Sequence, residues 1–173
     1  VTPTTGSATE DVWAGRSVIG NTTTENTLTL NGSTTHQDAY GGWTAGTGTT
    51  AAAKDSSTDN TVNLVNSTVR NIYGGFTAAA GGNATGNKVN ISGGSVSGTV
   101  HGGYLSHASA TGDATGNIVT ITGGTMSDVY GGWTAGTGAT TGNTVNLGSE
   151  TNAVASGTTI GKLYGGSNAT ATN

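Results

Sequence analysis

The sequence has no cysteine, one proline, one methionine, one phenylalanine, and only nine acidic and five basic residues among 173. Without cysteine there is neither a disulfide framework nor a Cys-ligated zinc site. The five cations (Arg16, Lys54, Arg70, Lys88 and Lys162) lie far apart and the net charge is −4. That leaves no basic footprint for a phosphate backbone or an anionic lipid surface, so nucleic acid is not expected as a partner. No run approaches the ~18 apolar residues of a membrane span, so this segment is not expected to insert in a bilayer. Val1 opens without a basic-then-apolar segment, which places any export signal outside this chain. Charged residues make up only 8%, whereas solvated disordered segments are usually rich in Glu, Lys and Pro.

What is abundant is glycine, 32 residues in all, together with Thr, Asn and Ser in a repeating order. Aligned on the residue before a small pair, Trp13, Tyr40, Tyr73, His101, Tyr130 and Tyr164 mark coil starts at spacings of 27, 33, 28, 29 and 34. A second anchor is the Asn that opens an alternating stretch: Asn26-Thr-Leu-Thr-Leu, Asn60-Thr-Val-Asn-Leu, Asn87-Lys-Val-Asn-Ile, Asn117-Ile-Val-Thr-Ile and Asn143-Thr-Val-Asn-Leu. Extra residues fall within Thr44–Ser57 and Gly148–Thr158. Length variation confined to such places is how loops behave on a repeated scaffold.

Within a coil the alternation has period 2, with Val89 and Ile91 on one face and Lys88, Asn90 and Ser92 on the other. Gly93-Gly94, Gly102-Gly103 and Gly123-Gly124 interrupt it where bends are expected, because glycine reaches positive φ without steric cost. A coil of ~27 residues cannot bury its own apolar side chains, but coils stacked ~4.8 Å apart pair every strand above and below. The sequence therefore predicts an all-β, parallel β-solenoid, a single repeat domain over residues 1–173 with about five coils of roughly three short strands each. Right-handed winding is the default for parallel crossovers. The predicted inward columns are Leu28/Val62/Val89/Val119/Val145, Leu30/Leu64/Ile91/Ile121/Leu147 and Val12/Ala39/Ile72/Val100/Val129/Leu163.

The Tyr-Gly-Gly-Trp-Thr-Ala-Gly-Thr-Gly and Ala-Thr-Gly-Asn-x-Val-x-Ile-x-Gly-Gly-x-Val repeats resemble the passenger regions of bacterial autotransporter adhesins. The likeness lies in repeat composition over nearly the whole chain. It implies a right-handed β-helix on the outer surface of a Gram-negative cell, and hence a secreted or cell-surface location. It also implies that this chain is a piece of a longer passenger.

Two sets of residues are singled out. Asn26, Asn60, Asn87, Asn117 and Asn143 are read as a structural ladder of stacked carboxamides. Tyr40, Tyr73, His101, Tyr130 and Tyr164 are candidate ligand contacts, because the alternation set by Val100 and Val129 turns these rings outward, where they could meet a sugar face. A second aromatic column, Trp43/Phe76/Tyr104/Trp133, is read as packing inward or beneath a variable loop. Catalytic, cofactor and metal sites are not predicted. Asp38 and Asp128 share a column with Asn71, Thr99 and Lys162, which gives too few acids for a calcium cage. The expected function is an extracellular stalk or adhesin module that attaches to cells or glycans. The alternative is a self-assembling fibre or matrix protein, with a carbohydrate-active β-helix enzyme or an ice-binding protein behind it. The last coil, around Thr159–Ser167, is expected to meet further coils of the parent protein or a copy of this chain.

Overall fold

The computed structural model describes residues 10–18, 21–46 and 55–169. It contains strands β1 (Val12–Ser17), β2 (Thr23–Thr24), β3 (Thr27–Thr44), β4 (Ser57–Thr58), β5 (Thr61–Thr77), β6 (Ala84–Thr85), β7 (Lys88–Ile91) and β8 (Ser95–Val96). It continues with β9 (Val100–Leu105), β10 (Ala114–Thr115), β11 (Ile118–Ile121), β12 (Thr125–Met126), β13 (Val129–Thr134), β14 (Thr144–Leu147), β15 (Thr159–Ile160) and β16 (Leu163–Asn168). Every pairing between them is parallel and joins one coil to the next, as β5 to β9 to β13 to β16. The fold is a parallel β-solenoid of about five coils. Each coil carries the three expected strand positions, and a two-residue strand precedes Asn26, Asn60, Asn87 and Asn117 but not Asn143; β6, β7, β8 and β9 make one full coil. In β3 and β5 the last three positions run together.

The three predicted apolar columns lie in register. Leu28 pairs Val62, which pairs Val89, Val119 and Val145 in succession, and Leu30, Leu64, Ile91, Ile121 and Leu147 follow one position on the same face. Val12, Ala39, Ile72, Val100, Val129 and Leu163 form the third. A fourth column, His36/Val69/Val96/Met126/Ile160, completes the wall. The interior is one aliphatic cluster in which most side chains are under 3% exposed. At about 25 cal/mol per Å² of apolar surface, this dry stack is the main stabilising term, and it exists only between coils.

The bends differ from expectation in one respect. Gly94 and Gly124 do take positive φ, at 82° and 97°. Gly102 and Gly103 do not; they sit inside β9, and their lack of a side chain serves clearance instead. A β-carbon on Gly102 would strike the carbonyl oxygen of Gly131 in the next coil, and one on Gly103 would lie 2.5 Å from Asn117 Nδ2. The left-handed position of each coil falls one residue before the Asn, at Glu25, Asp59, Gly86, Gly116 and Gly142, with φ between 54° and 66°. The insertion within Thr44–Ser57 lies largely outside the described residues. Gly148–Thr158 forms a surface loop closed by Ser149 N–H to Asn152 O at 2.7 Å and tied to its neighbour by Ala155 N–H to Thr122 O at 2.8 Å.

Candidate functional site

Two side-chain columns run the length of the stack, one inside and one outside. The inner one is the Asn column. Asn26 Nδ2 donates to Asn60 Oδ1 at 2.9 Å, Asn60 to Asn87 at 3.1 Å, Asn87 to Asn117 at 3.0 Å and Asn117 to Asn143 at 2.9 Å. The same oxygens also accept the backbone N–H of the preceding Asn, at 2.9–3.1 Å. The second Nδ2 proton goes to a backbone carbonyl: Thr23 for Asn60, Ser57 for Asn87, Ala84 for Asn117. Asn60, Asn87 and Asn117 are wholly buried. A buried amide costs little only when its donors and acceptors are all used, and these satisfy that condition. Room for them comes from the second glycine of each pair: a β-carbon on Gly42, Gly75, Gly103 or Gly132 would collide with the carboxamide of Asn60, Asn87, Asn117 or Asn143 respectively.

The outer column is aromatic. Trp13, Tyr40, Tyr73, His101, Tyr130 and Tyr164 stack as one ladder, with centroids 4.7–6.1 Å apart and planes within 13° of parallel. The glycine pair turns the strand so that the residue three places on also leaves on this side. Trp43, Phe76, Tyr104 and Trp133 therefore form a second ladder at 4.6–6.2 Å. The two ladders meet edge to face, as in Tyr73–Phe76 at 5.4 Å and His101–Tyr104 at 4.7 Å.

This arrangement reverses the expected order of exposure. The Tyr column does leave the sheet opposite the aliphatic core, but the second column covers it: Tyr40, Tyr73 and His101 are 7%, 9% and 4% exposed. Trp43, Phe76, Tyr104 and Trp133 are the half-buried ones. Tyr130 and Tyr164 are half-buried too, toward the last coil. Between the ends of both ladders the ring faces are occupied by neighbouring rings, so edges rather than faces meet solvent there. Face-on stacking of a sugar has no platform at these interior rings. The double column acts as a spine, with each stacked pair contributing about 0.5–1.5 kcal/mol beyond its burial.

Arg16 was not anticipated. It pairs in register with Trp43, and its guanidinium lies 5.0 Å from the ring centroids of both Trp13 and Trp43, which places a cation over the first coil's end of the spine. The signal was present in Trp13-Ala-Gly-Arg16, which aligns with Tyr40-Gly-Gly-Trp43.

Burial raises the Tyr40 and Tyr73 hydroxyls well above their ordinary range, and Asp38 adds to both. Burial also raises Tyr104 and Tyr130. His101 is pushed down to about 3 by burial alone. Its Nε2 lies 3.0 Å from Thr99 Oγ1, while Nδ1 is buried without a partner. His36 is also lowered by burial and rests on Thr34 Oγ1 at 2.9 Å, a satisfied polar substitution in the fourth apolar column.

The dispersed acids have a structural task. Asp11 Oδ1 accepts the N–H of Asp38, Asn71 Oδ1 that of Thr99, and Asp128 Oδ1 that of Lys162, at 2.8–3.1 Å. Each Asx thus caps a backbone donor one coil on. Asp38 in addition takes a bidentate pair from Arg70 at 2.9 Å, whose side chain is 55% exposed; such pairs stabilise little. Among the described residues no group of three or more His, Asp or Glu could hold a metal ion.

Compared with protein-family models, with curated proteins and with solved structures, the chain matches none of them.

Proposed function

We propose that the chain is a structural stalk or adhesin module displayed outside a bacterial cell, attaching through its surface to cells or glycans. One observation carries this reading: two axial ladders, one of carboxamides and one of rings, lock successive coils into a rod roughly 24 Å long for five coils. A rod braced along its axis suits holding a contact surface away from a cell. Contacts with a glycan then fall on the edges of the Trp43/Phe76/Tyr104/Trp133 column and the outward Thr and Asn rows, since Tyr40, Tyr73 and His101 are covered. The test is a binding screen of the purified chain against glycans and whole cells. Saturable binding weakened by Trp43→Ala or Tyr104→Ala supports the reading, and no binding to any surface contradicts the adhesin part of it.

A second reading, a self-assembling fibre, is favoured by the end coils. Leu28 and Leu30 of the first coil are 0% and 1% exposed, whereas Leu147 and Leu163 of the last are 54% and 41% exposed. An open apolar edge accepts further coils of the parent protein or a copy of this chain. Light scattering separates the readings: growing particles with rising concentration indicate a fibre, a constant monomer mass a stalk.

A further inference from the structure

Asn31-Gly32 is the sole Asn-Gly pair in the sequence, and it lies where the β3–β5 ladder is irregular, with register shifts on both sides of Asn31. Asn31 is exposed, and its carboxamide has no hydrogen-bond partner among the described residues. Gly32 has φ +137°, and nothing lies within 4 Å of where a β-carbon would stand. The side chain therefore has room to swing over the following backbone nitrogen, which glycine leaves unshielded.

We propose that Asn31 is a self-modification site that converts to aspartate and isoaspartate through a cyclic imide. The Gly32 nitrogen attacks Asn31 Cγ, forming a C–N bond. The Cγ–Nδ2 bond breaks, and Nδ2 leaves as ammonia with the proton from the Gly32 amide. Water then opens the ring at either carbonyl, leaving Asp, or isoaspartate with the chain running through the side-chain carbon. No oxidant or other reactant is needed. The product adds one negative charge, from −4 to −5, beside a polar groove lined by Thr34, Thr35, Ser67 and Thr68.

The ladder asparagines are the internal contrast. Asn60, Asn87 and Asn117 are wholly buried, and their carboxamides are held by the bonds described above. The nitrogen that would attack is held as well: Thr61 N–H donates to Asn26 O, Lys88 N–H to Asn60 O and Ile118 N–H to Asn87 O, at 2.7–2.9 Å. Neither partner can reach the other without opening the coil.

The experiment is prolonged incubation of the folded chain at neutral pH and physiological temperature, followed by peptide mapping with fragment-ion localisation and an isoaspartyl methyltransferase assay. The expected result is a one-dalton gain confined to Asn31, absent from Asn31→Gln and roughly an order of magnitude slower in Gly32→Ala. Gly32→Ala strains a positive φ, so Asn31→Gln, which keeps the backbone, is the control for folding by circular dichroism. An unchanged mass at Asn31, or gains at Asn60, Asn87 or Asn117 at the same rate, overturns the proposal.

Discussion

Gly75 and Asn87 share one space: a β-carbon on Gly75 would fall on the Asn87 carboxamide, with Nδ2, Cγ and Oδ1 as its three nearest atoms. Asn87→Ala leaves the Asn60 N–H and Nδ2–H buried without their acceptor and should cost about 3 kcal/mol or more. Gly75→Ala alone overpacks the site and should cost about 1–3 kcal/mol. In the Asn87→Ala background the new methyl enters vacated space, so the second cost should nearly vanish. Denaturant unfolding of the four proteins checks this. Simple additivity of the two losses, with no coupling near 1 kcal/mol, contradicts the shared-space account.

Inward and outward positions on one strand should respond differently. Ile91 is 1% exposed, so Ile91→Asp places an unpaired charge in an aliphatic column and should lose more than about 4 kcal/mol or prevent folding. Asn90 is exposed and bonded only to Asn63 at 2.9 Å, so Asn90→Asp should change stability by about 1 kcal/mol at most. Thermal melts of equal steepness and midpoint for the two variants would refute the assignment of faces.

Acid should weaken the spine at its centre. The folded-state pKa of His101 is near 3, below the ordinary 6.5, so the unfolded chain binds the proton first as pH falls. Stability is full above about pH 6.5 and declines toward pH 3, by about 2 kcal/mol at pH 5. For a chain of this size that is a fall of about 4–8 °C in Tm. His101→Tyr restores the ring of the other coils and should remove most of that dependence, leaving the smaller part due to His36. A melting point of the parent chain that stays flat between pH 7 and pH 5 would count against it.

Asp59 adopts φ +54° at the position where three other coils have glycine. Asp59→Gly should raise stability by up to about 1 kcal/mol by relieving that conformation, set against the greater freedom glycine gives the unfolded chain. Calorimetry showing a loss instead would mean that the Asp59 side chain makes a stabilising contact.

The parts of this fold that could be read from residue order are those with a local signature. Val89 and Ile91 alternate with Lys88 and Asn90 within a few residues, and the alternation recurs at a fixed period, so strand faces and coil register followed directly. The recurring Asn and Tyr positions were visible for the same reason. Less legible was anything decided across the coil. That the second glycine of Tyr73-Gly-Gly-Phe76 makes room for Asn87 depends on the strand folding over the carboxamide, a contact between Gly75 in β5 and a residue twelve positions on, just before β7. The covering of the Tyr column depends on the same turn, since simple alternation would send Tyr73 and Phe76 to opposite faces. Asp38 and Asp128 looked like stray acids because their partners lie a coil away: the side chains of Arg70 and Asn71 for Asp38, and the Lys162 backbone N–H for Asp128.

The claim that axial side-chain ladders hold the coils together is tested most directly by native-state hydrogen exchange at Asn60, Asn87 and Asn117, whose backbone N–H groups donate to side-chain oxygens rather than to a strand partner. If the ladder is a structural spine, these amides exchange only through global unfolding, as slowly as the core amide of Ile91. Exchange as fast as that of the surface-loop amides around Ser149 would contradict it.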